Sequence, residues 1–161
     1  MNFSKKEISI LIQGNILNSD NKEKLFGGSL YFMQKDLFIS RSVSESNGSF
    51  LLTAKIAKGD VYDLIVSKKG FLIKKILIDL SSLDFRSLKN NTLSLKKDFN
   101  ISLFPIASYV NIKMSDSLYS EKYSWNQQVF QLIEDESYRL NYQNKLKNSD
   151  LPENKIVLDS S

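Results

Sequence analysis

The side chains that most often carry catalysis or hold metals are scarce in this chain. The 161 residues include no histidine and no cysteine, which excludes disulfides, thiol nucleophiles, histidine metal ligands and triads that need either residue. Carboxylates remain, and two of them at a suitable separation could act as acid and base. The 18 acidic residues show no spacing typical of a metalloprotease or an EF-hand. We therefore expect no catalytic residue, no metal site, no cofactor and no enzymatic activity.

The densest group of carboxylates is the run Glu134, Asp135 and Glu136. Carboxylate oxygens are the ligands that Ca²⁺ prefers, so a calcium site is one interpretation. Three consecutive residues of a helix point in different directions, however, and acids at a helix N-terminus interact favourably with the helix dipole. We favour a solvated helix N-terminus over a calcium site.

Aromatic residues mark the last third of the chain, where Tyr109, Tyr119, Tyr123, Trp125 and Tyr138 occur. Aromatic side chains dominate interface hot spots and stack on sugars, so they could form a docking surface. The alternative is that Tyr123 and Trp125 pack this segment onto the rest of the protein, because a lone tryptophan is usually mostly buried. We favour packing for these two. Tyr119, Tyr123, Trp125 and Tyr138 are nevertheless the candidate protein-binding residues.

Charge and hydropathy argue against nucleic acid and membrane as partners. The net charge is +4 with 22 basic residues, but the lysines occur in scattered pairs, and only Arg41, Arg86 and Arg139 could make bidentate contacts. No apolar run approaches the roughly 20 residues of a membrane-spanning helix. The segment Ile8 to Ile12 is too short for the apolar region of a signal peptide. We expect the chain as given to be mature, truncated or cytosolic.

Short apolar or alternating segments separated by turn residues predict an antiparallel sheet. The predicted strands are residues 8–18, 29–33, 37–43, 49–56, 61–67, 71–80 and 92–104. Gly14 inside the first strand predicts a bulge or a close backbone approach, and Asn47-Gly48 predicts a tight turn. Lys74 and Lys75 interrupt the alternation of the sixth strand, which indicates a bulge or a sheet edge that could accept a partner strand.

After Pro105 the pattern changes to an irregular polar stretch followed by helical spacing. The helix is predicted from about residue 126 to residue 147, or from about residue 134 if residues 129–133 form a strand of the sheet. We divide the chain into a β-sandwich, residues 1–104, and a C-terminal extension, residues 105–161, with one helix and a loosely held tail.

Five segments carry a resemblance to a known family: Gln13–Ile16, Leu25–Leu30, Asn47–Phe50, Tyr62–Ser67 and Lys69–Phe71. Their order resembles the carboxypeptidase regulatory-like family, whose transthyretin-like, seven-stranded sandwiches are abundant in envelope proteins of Bacteroidota. The resemblance covers roughly residues 8–104. It implies a mainly β protein, a transthyretin-like or Ig-like antiparallel β-sandwich, here with a C-terminal α-helical extension.

The resemblance also implies a role and a location. It points to a non-enzymatic binding or scaffolding module of a bacterial cell-envelope assembly, in the periplasm or at the outer membrane, with a protein as partner. Three segments of the last third are similar to extensions found behind this sandwich in envelope proteins of gliding flavobacteria: Ile101–Pro105, Lys122–Trp125 and Glu134–Tyr138. This similarity suggests gliding motility or type IX secretion. The alternative is a carbohydrate-binding or adhesin-type module. An exposed aromatic platform would favour that alternative, and a deep pocket with two acids would favour an enzyme.

Overall fold

Two β-sheets packed face to face form a sandwich in the computed structural model, which describes residues 6–108 and 118–149. The strands are β1 (Ile8–Asn18), β2 (Ser29–Gln34), β3 (Leu37–Val43), β4 (Ser49–Ile56), β5 (Val61–Ser67), β6 (Lys74–Asp79), β7 (Thr92–Leu103), β8 (Glu121–Asn126) and β9 (Gln131–Glu134), and the helix α1 is Glu136–Ser149. Short 3₁₀ helices occupy Phe85–Ser87 and Ile106–Ser108.

The smaller sheet has the strand order β4-β1-β7, and the larger has the order β3-β2-β5-β6-β8-β9. Most neighbours are antiparallel, but β1 pairs with β7 and β6 pairs with β8 in parallel. The expected mainly β sandwich with a C-terminal helix is therefore confirmed, and two of its strand pairs depart from the antiparallel arrangement. The seven predicted strands are all present, although the sixth begins at Lys74 rather than at residue 71.

The core lies between the two sheets and follows the predicted alternation. On β5, the side chains of Tyr62, Leu64 and Val66 are buried, as the sequence pattern indicates. Strand β1 contributes four buried isoleucines from the other sheet: Ile8, Ile10, Ile12 and Ile16. Each large apolar side chain buried in this way stabilises the sandwich by about 1.5 to 3 kcal/mol.

Gly14 marks a close approach between β1 and β7, as expected. A Cβ atom at Gly14 would lie 1.7 Å from the carbonyl oxygen of Phe99. The register of the parallel pair shifts between Ile12 and Gly14. Only a residue without a side chain fits at this point of β1.

The prediction that β6 lies at a sheet edge is wrong. Strand β6 is interior to the larger sheet, with β5 antiparallel on one side and β8 parallel on the other. Lys74 is only 6% exposed. The reason for the error is β8, which the sequence pattern indicated as irregular and which covers the edge that β6 would otherwise present. A partner strand cannot add to β6.

The region after Pro105 supplies two strands as well as the helix. Strand β9 agrees with the alternative in which residues 129–133 join the sheet, and α1 begins at Glu136 rather than near residue 126. The larger sheet thus contains strands from both sides of the boundary predicted at residue 104. Within residues 6–108 and 118–149, none of the helices has the length and hydropathy to cross a bilayer. The predicted tail from residue 150 onward lies outside the described residues.

Candidate functional site

Trp125 packs inside the sandwich. Its side chain on β8 is 3% exposed, and its indole nitrogen donates a hydrogen bond of 2.8 Å to Oε1 of Gln127. The ring of Phe130 meets the indole edge-on, with centroids 4.9 Å apart, and the hydroxyl of Ser82 donates to the carbonyl of Trp125. This geometry agrees with the packing alternative for Trp125.

Tyr123 points into the same core from the next inward position of β8. It is 7% exposed, and its ring makes a T-shaped contact with Phe99 at 4.9 Å between centroids. Burial raises the pKa of its phenol. Tyr123 and Trp125 therefore do not form an exposed aromatic platform. Direct contact of either residue with a partner stays a prediction.

Tyr119 lies on the opposite, outward side of the larger sheet and is partly exposed. Its hydroxyl donates a hydrogen bond of 2.8 Å to Oδ1 of Asp63 on β5. The ammonium of Lys75 on β6 stands 4.8 Å from the centre of the ring and 3.8 Å from Oδ2 of Asp63. Partial burial, with the Asp63 carboxylate as the second cause, raises the pKa of Tyr119 to about 12. The hydrogen bond to Asp63 and the Lys75 ammonium over the ring thus hold Tyr119 against the sheet.

Tyr138 belongs to the same side of the sheet. It lies in the first turn of α1 and is partly exposed, and the ammonium of Lys122 on β8 stands 5.5 Å from its ring centre. The phenol of Tyr138 is near enough to Tyr119 to contribute to the raised pKa of Tyr119. We name Tyr119, Tyr138, Lys75 and Lys122 the tyrosine–lysine surface. Of the predicted aromatics, the structure thus brings two together here and buries two, while Tyr109 lies outside the described residues.

Of the three consecutive acids, only Glu136 lies in α1, since Glu134 ends β9 and Asp135 precedes the helix. Asp135 accepts hydrogen bonds from the backbone nitrogen and the hydroxyl of Ser137, which lower the pKa of Asp135. Glu134 accepts a hydrogen bond of 3.0 Å from Nε of Arg139, while Glu136 lies 3.9 Å from Nη2 of Arg139. In the parts of the chain that the structure describes, no three acidic residues gather as metal ligands would.

One polar pair inside the sandwich was not predicted. Lys74 on β6 and Glu121 on β8 both point inward, with their side chains 7% and 9% exposed. The Lys74 ammonium lies 3.9 Å from Oε1 of Glu121 and donates a hydrogen bond of 2.9 Å to the carbonyl of Ser102 on β7. Burial lowers the pKa of Lys74 and raises the pKa of Glu121, because each charged form loses its hydration.

The pair borders a cavity of 110 Å³ between β7, the start of β8 and α1. Phe104, Arg139 and Tyr142 are among the other residues that line it. The second carboxylate oxygen of Glu121, Oε2, is buried and has no hydrogen-bond partner in the structure. We name this site the Lys74–Glu121 pocket. A sequence signal for the inward position of Lys74 does exist. Lys74 lies two residues before the inward-facing Ile76, so the alternation of β6 places both side chains on the same face. This signal could be used only if β8 had been predicted as the neighbour of β6.

Comparison with known proteins yields distant likenesses among solved structures. No protein-family model and no curated protein matches the chain. Among solved structures, chlorocatechol 1,2-dioxygenase from Pseudomonas putida is 11% identical with a TM-score of 0.44, and the match covers 63% of this chain and 62% of the dioxygenase. The group B streptococcus pilus 2b backbone protein is 13% identical with a TM-score of 0.39, covering 60% of this chain and 40% of the pilus protein. Similarity at this level carries no inference about activity.

Proposed function

We propose that the chain is a non-enzymatic binding module that holds a protein partner on the tyrosine–lysine surface. The observation that carries the proposal is that two partly exposed tyrosines are held in place by charged neighbours on a rigid sheet. Tyrosine is enriched at interface hot spots, because a large ring with few rotatable bonds loses little entropy on binding. A sheet that fixes the rings before binding lowers that loss further.

The finer assignment rests on the sequence resemblance. We propose a carboxypeptidase regulatory-like sandwich in a bacterial cell-envelope assembly, at the periplasm or the outer membrane, with gliding motility or type IX secretion as the process. The β-sandwich fold is compatible with this family, and the turn and strand motifs quoted above support it. Fold alone does not determine function, so the partner has to be found by experiment.

Two observations weigh against the other candidate functions. A carbohydrate-binding or adhesin-type module would use an exposed aromatic platform, whereas Trp125 and Tyr123 are buried. The rings of Tyr119 and Tyr138 are only partly exposed, and each has a lysine ammonium over it. A carboxylate enzyme would need two acids facing one pocket, whereas in the described part of the chain the buried acid of the Lys74–Glu121 pocket is paired with a lysine.

The test is affinity purification of the tagged protein from the native cell envelope, followed by mass spectrometry. The variant is Tyr138→Ser, and the matched control is Leu51→Ser, since Leu51 is 50% exposed on β4 of the other sheet. We expect secretion or motility proteins to copurify, and their yield to fall about tenfold or more in Tyr138→Ser alone, as for a hot-spot residue. Retention of glycans without a protein partner, or equal yields from both variants, would contradict the proposal. Trp125→Ala is unsuitable here because it would damage the core.

A further inference from the structure

The Lys74–Glu121 pocket lies on the inward side of the larger sheet, and a partner bound to the tyrosine–lysine surface on the outward side would not contact it. A lysine amine and a glutamate carboxyl group face one cavity, and one oxygen of that carboxyl group has no hydrogen-bond partner. Buried polar groups are nearly always hydrogen-bonded, so this carboxyl oxygen is available to a water or a small ligand that enters the cavity. The cavity of 110 Å³ exceeds the roughly 30 Å³ share of one water molecule several-fold.

We propose that Lys74 is a reactive amine, and that it forms an imine with a small aldehyde that enters the Lys74–Glu121 pocket. The nitrogen lone pair attacks the carbonyl carbon, so that a C–N bond forms and the C=O π bond breaks, and one proton moves from the now positively charged nitrogen to the carbonyl oxygen. Glu121 then gives its proton to the resulting hydroxyl group, the C–O bond breaks and water leaves. The remaining proton on nitrogen returns to the Glu121 carboxylate, so that amine plus aldehyde yields imine plus water with no oxidant or reductant.

The surroundings of the two groups suit this reaction. A lysine amine attacks a carbonyl only when neutral, and burial favours the neutral amine of Lys74 and the protonated acid of Glu121. The neutral amine has two N–H groups, one of which keeps the hydrogen bond to the carbonyl of Ser102 and leaves the lone pair for the aldehyde. Among the described residues, the charged groups that also act on the pair include Glu134 and Arg139, which bind each other at 3.0 Å, and Lys96.

The experiment labels the whole chain with a limiting amount of acetaldehyde and cyanoborohydride at pH 6.5, which converts each imine to a stable ethylamine. Mass spectrometry of the peptides then measures the initial rate at every lysine. Lys58 is the internal standard, since its side chain is 68% exposed. We expect Lys74 to react severalfold faster than Lys58, because burial lowers the amine pKa of Lys74 and so raises the fraction of neutral amine.

Two variants separate the proposal from general lysine chemistry. Lys74→Arg should lose the fast label and leave the rate at Lys58 unchanged. Glu121→Gln keeps the shape of the side chain but removes the acidic proton that Glu121 gives to the leaving hydroxyl group. Labelling at Lys74 should therefore slow severalfold. A rate at Lys74 equal to or below that at Lys58 in the wild-type protein would overturn the proposal, and this comparison holds whether or not either variant folds.

Discussion

At the scale of single residues, Lys74 and Glu121 are tolerated inside the sandwich only as a pair. Removing Glu121 leaves the buried Lys74 amine with the Ser102 carbonyl but without its acidic partner. We expect Glu121→Leu to lower the free energy of unfolding by about 1 to 3 kcal/mol, as measured by urea denaturation. The double variant Lys74→Met, Glu121→Leu should regain most of that loss, because apolar residues of similar volume need no partner. Equal losses in the single and double variants would show that the pair has no such role.

Gly14 is the residue at which added volume should be least tolerated. The Cβ atom of Gly14→Ala would lie 1.7 Å from the carbonyl oxygen of Phe99, so β1 and β7 must separate. We expect a loss of about 3 kcal/mol or more. The control is Gly70→Ala, where no atom lies within 4 Å but φ is +92°, so that only backbone strain of about 1 to 2 kcal/mol is added. Thermal and urea unfolding compare the two, and a smaller loss for Gly14→Ala would refute the close approach.

Tyr119 should titrate with a pKa of about 12, measurable by carbon-13 NMR with Tyr119→Phe to assign the signal. Because the folded pKa exceeds the ordinary value of 10.0, the stabilisation from Tyr119 is complete below pH 10 and is lost as the pH rises toward 12. In Asp63→Asn the pKa of Tyr119 should fall, because the carboxylate that accepts the hydrogen bond of the phenol is gone. It should stay above 10, because the ring is still partly buried. An unchanged pKa would mean that Asp63 does not hold Tyr119.

At the scale of elements, the strands that could be predicted from the sequence are those whose own residues alternate between apolar and polar. Strands β1 and β5 could be predicted because apolar residues alternate along them and turn residues bound them. Strand β8 could not, since one of its three inward residues is the charged Glu121 and its partner β6 pairs in parallel from far away in the chain. The same long-range pairing decides that Lys74 is buried. Tyr119 and Tyr138 were candidates by residue type, but their meeting on one surface depends on that unpredicted strand.

The elements after residue 104 should be required for folding. A chain that ends at Phe104 lacks β8 and β9, exposes the edge of β6 and loses Tyr123 and Trp125 from the core. We expect residues 1–104 to show no cooperative thermal transition by circular dichroism, while the full chain unfolds in one. Addition of a peptide of residues 105–161 should restore part of the transition. Cooperative unfolding of residues 1–104 alone would instead support the predicted boundary as a true division into domains.

At the scale of the whole molecule, the two sides of the larger sheet have different roles in this account. The inward side holds the core and the Lys74–Glu121 pocket, and the outward side carries the tyrosine–lysine surface. The smaller sheet lies away from that surface and presents Leu51 to solvent. A partner that binds through Tyr119 and Tyr138 should therefore contact one side of the molecule and leave the smaller sheet free.

The most direct test is photo-crosslinking in the cells that produce the protein, with a photoreactive phenylalanine derivative placed at position 138 or, as the control, at position 51. Substitution of Tyr138 keeps an aromatic ring at that site, and both positions are accessible enough to accept the probe. We expect a discrete crosslinked protein from position 138 and none from position 51. Adducts from position 51 alone, or no adduct from position 138, would contradict the claim that the tyrosine–lysine surface binds a protein partner.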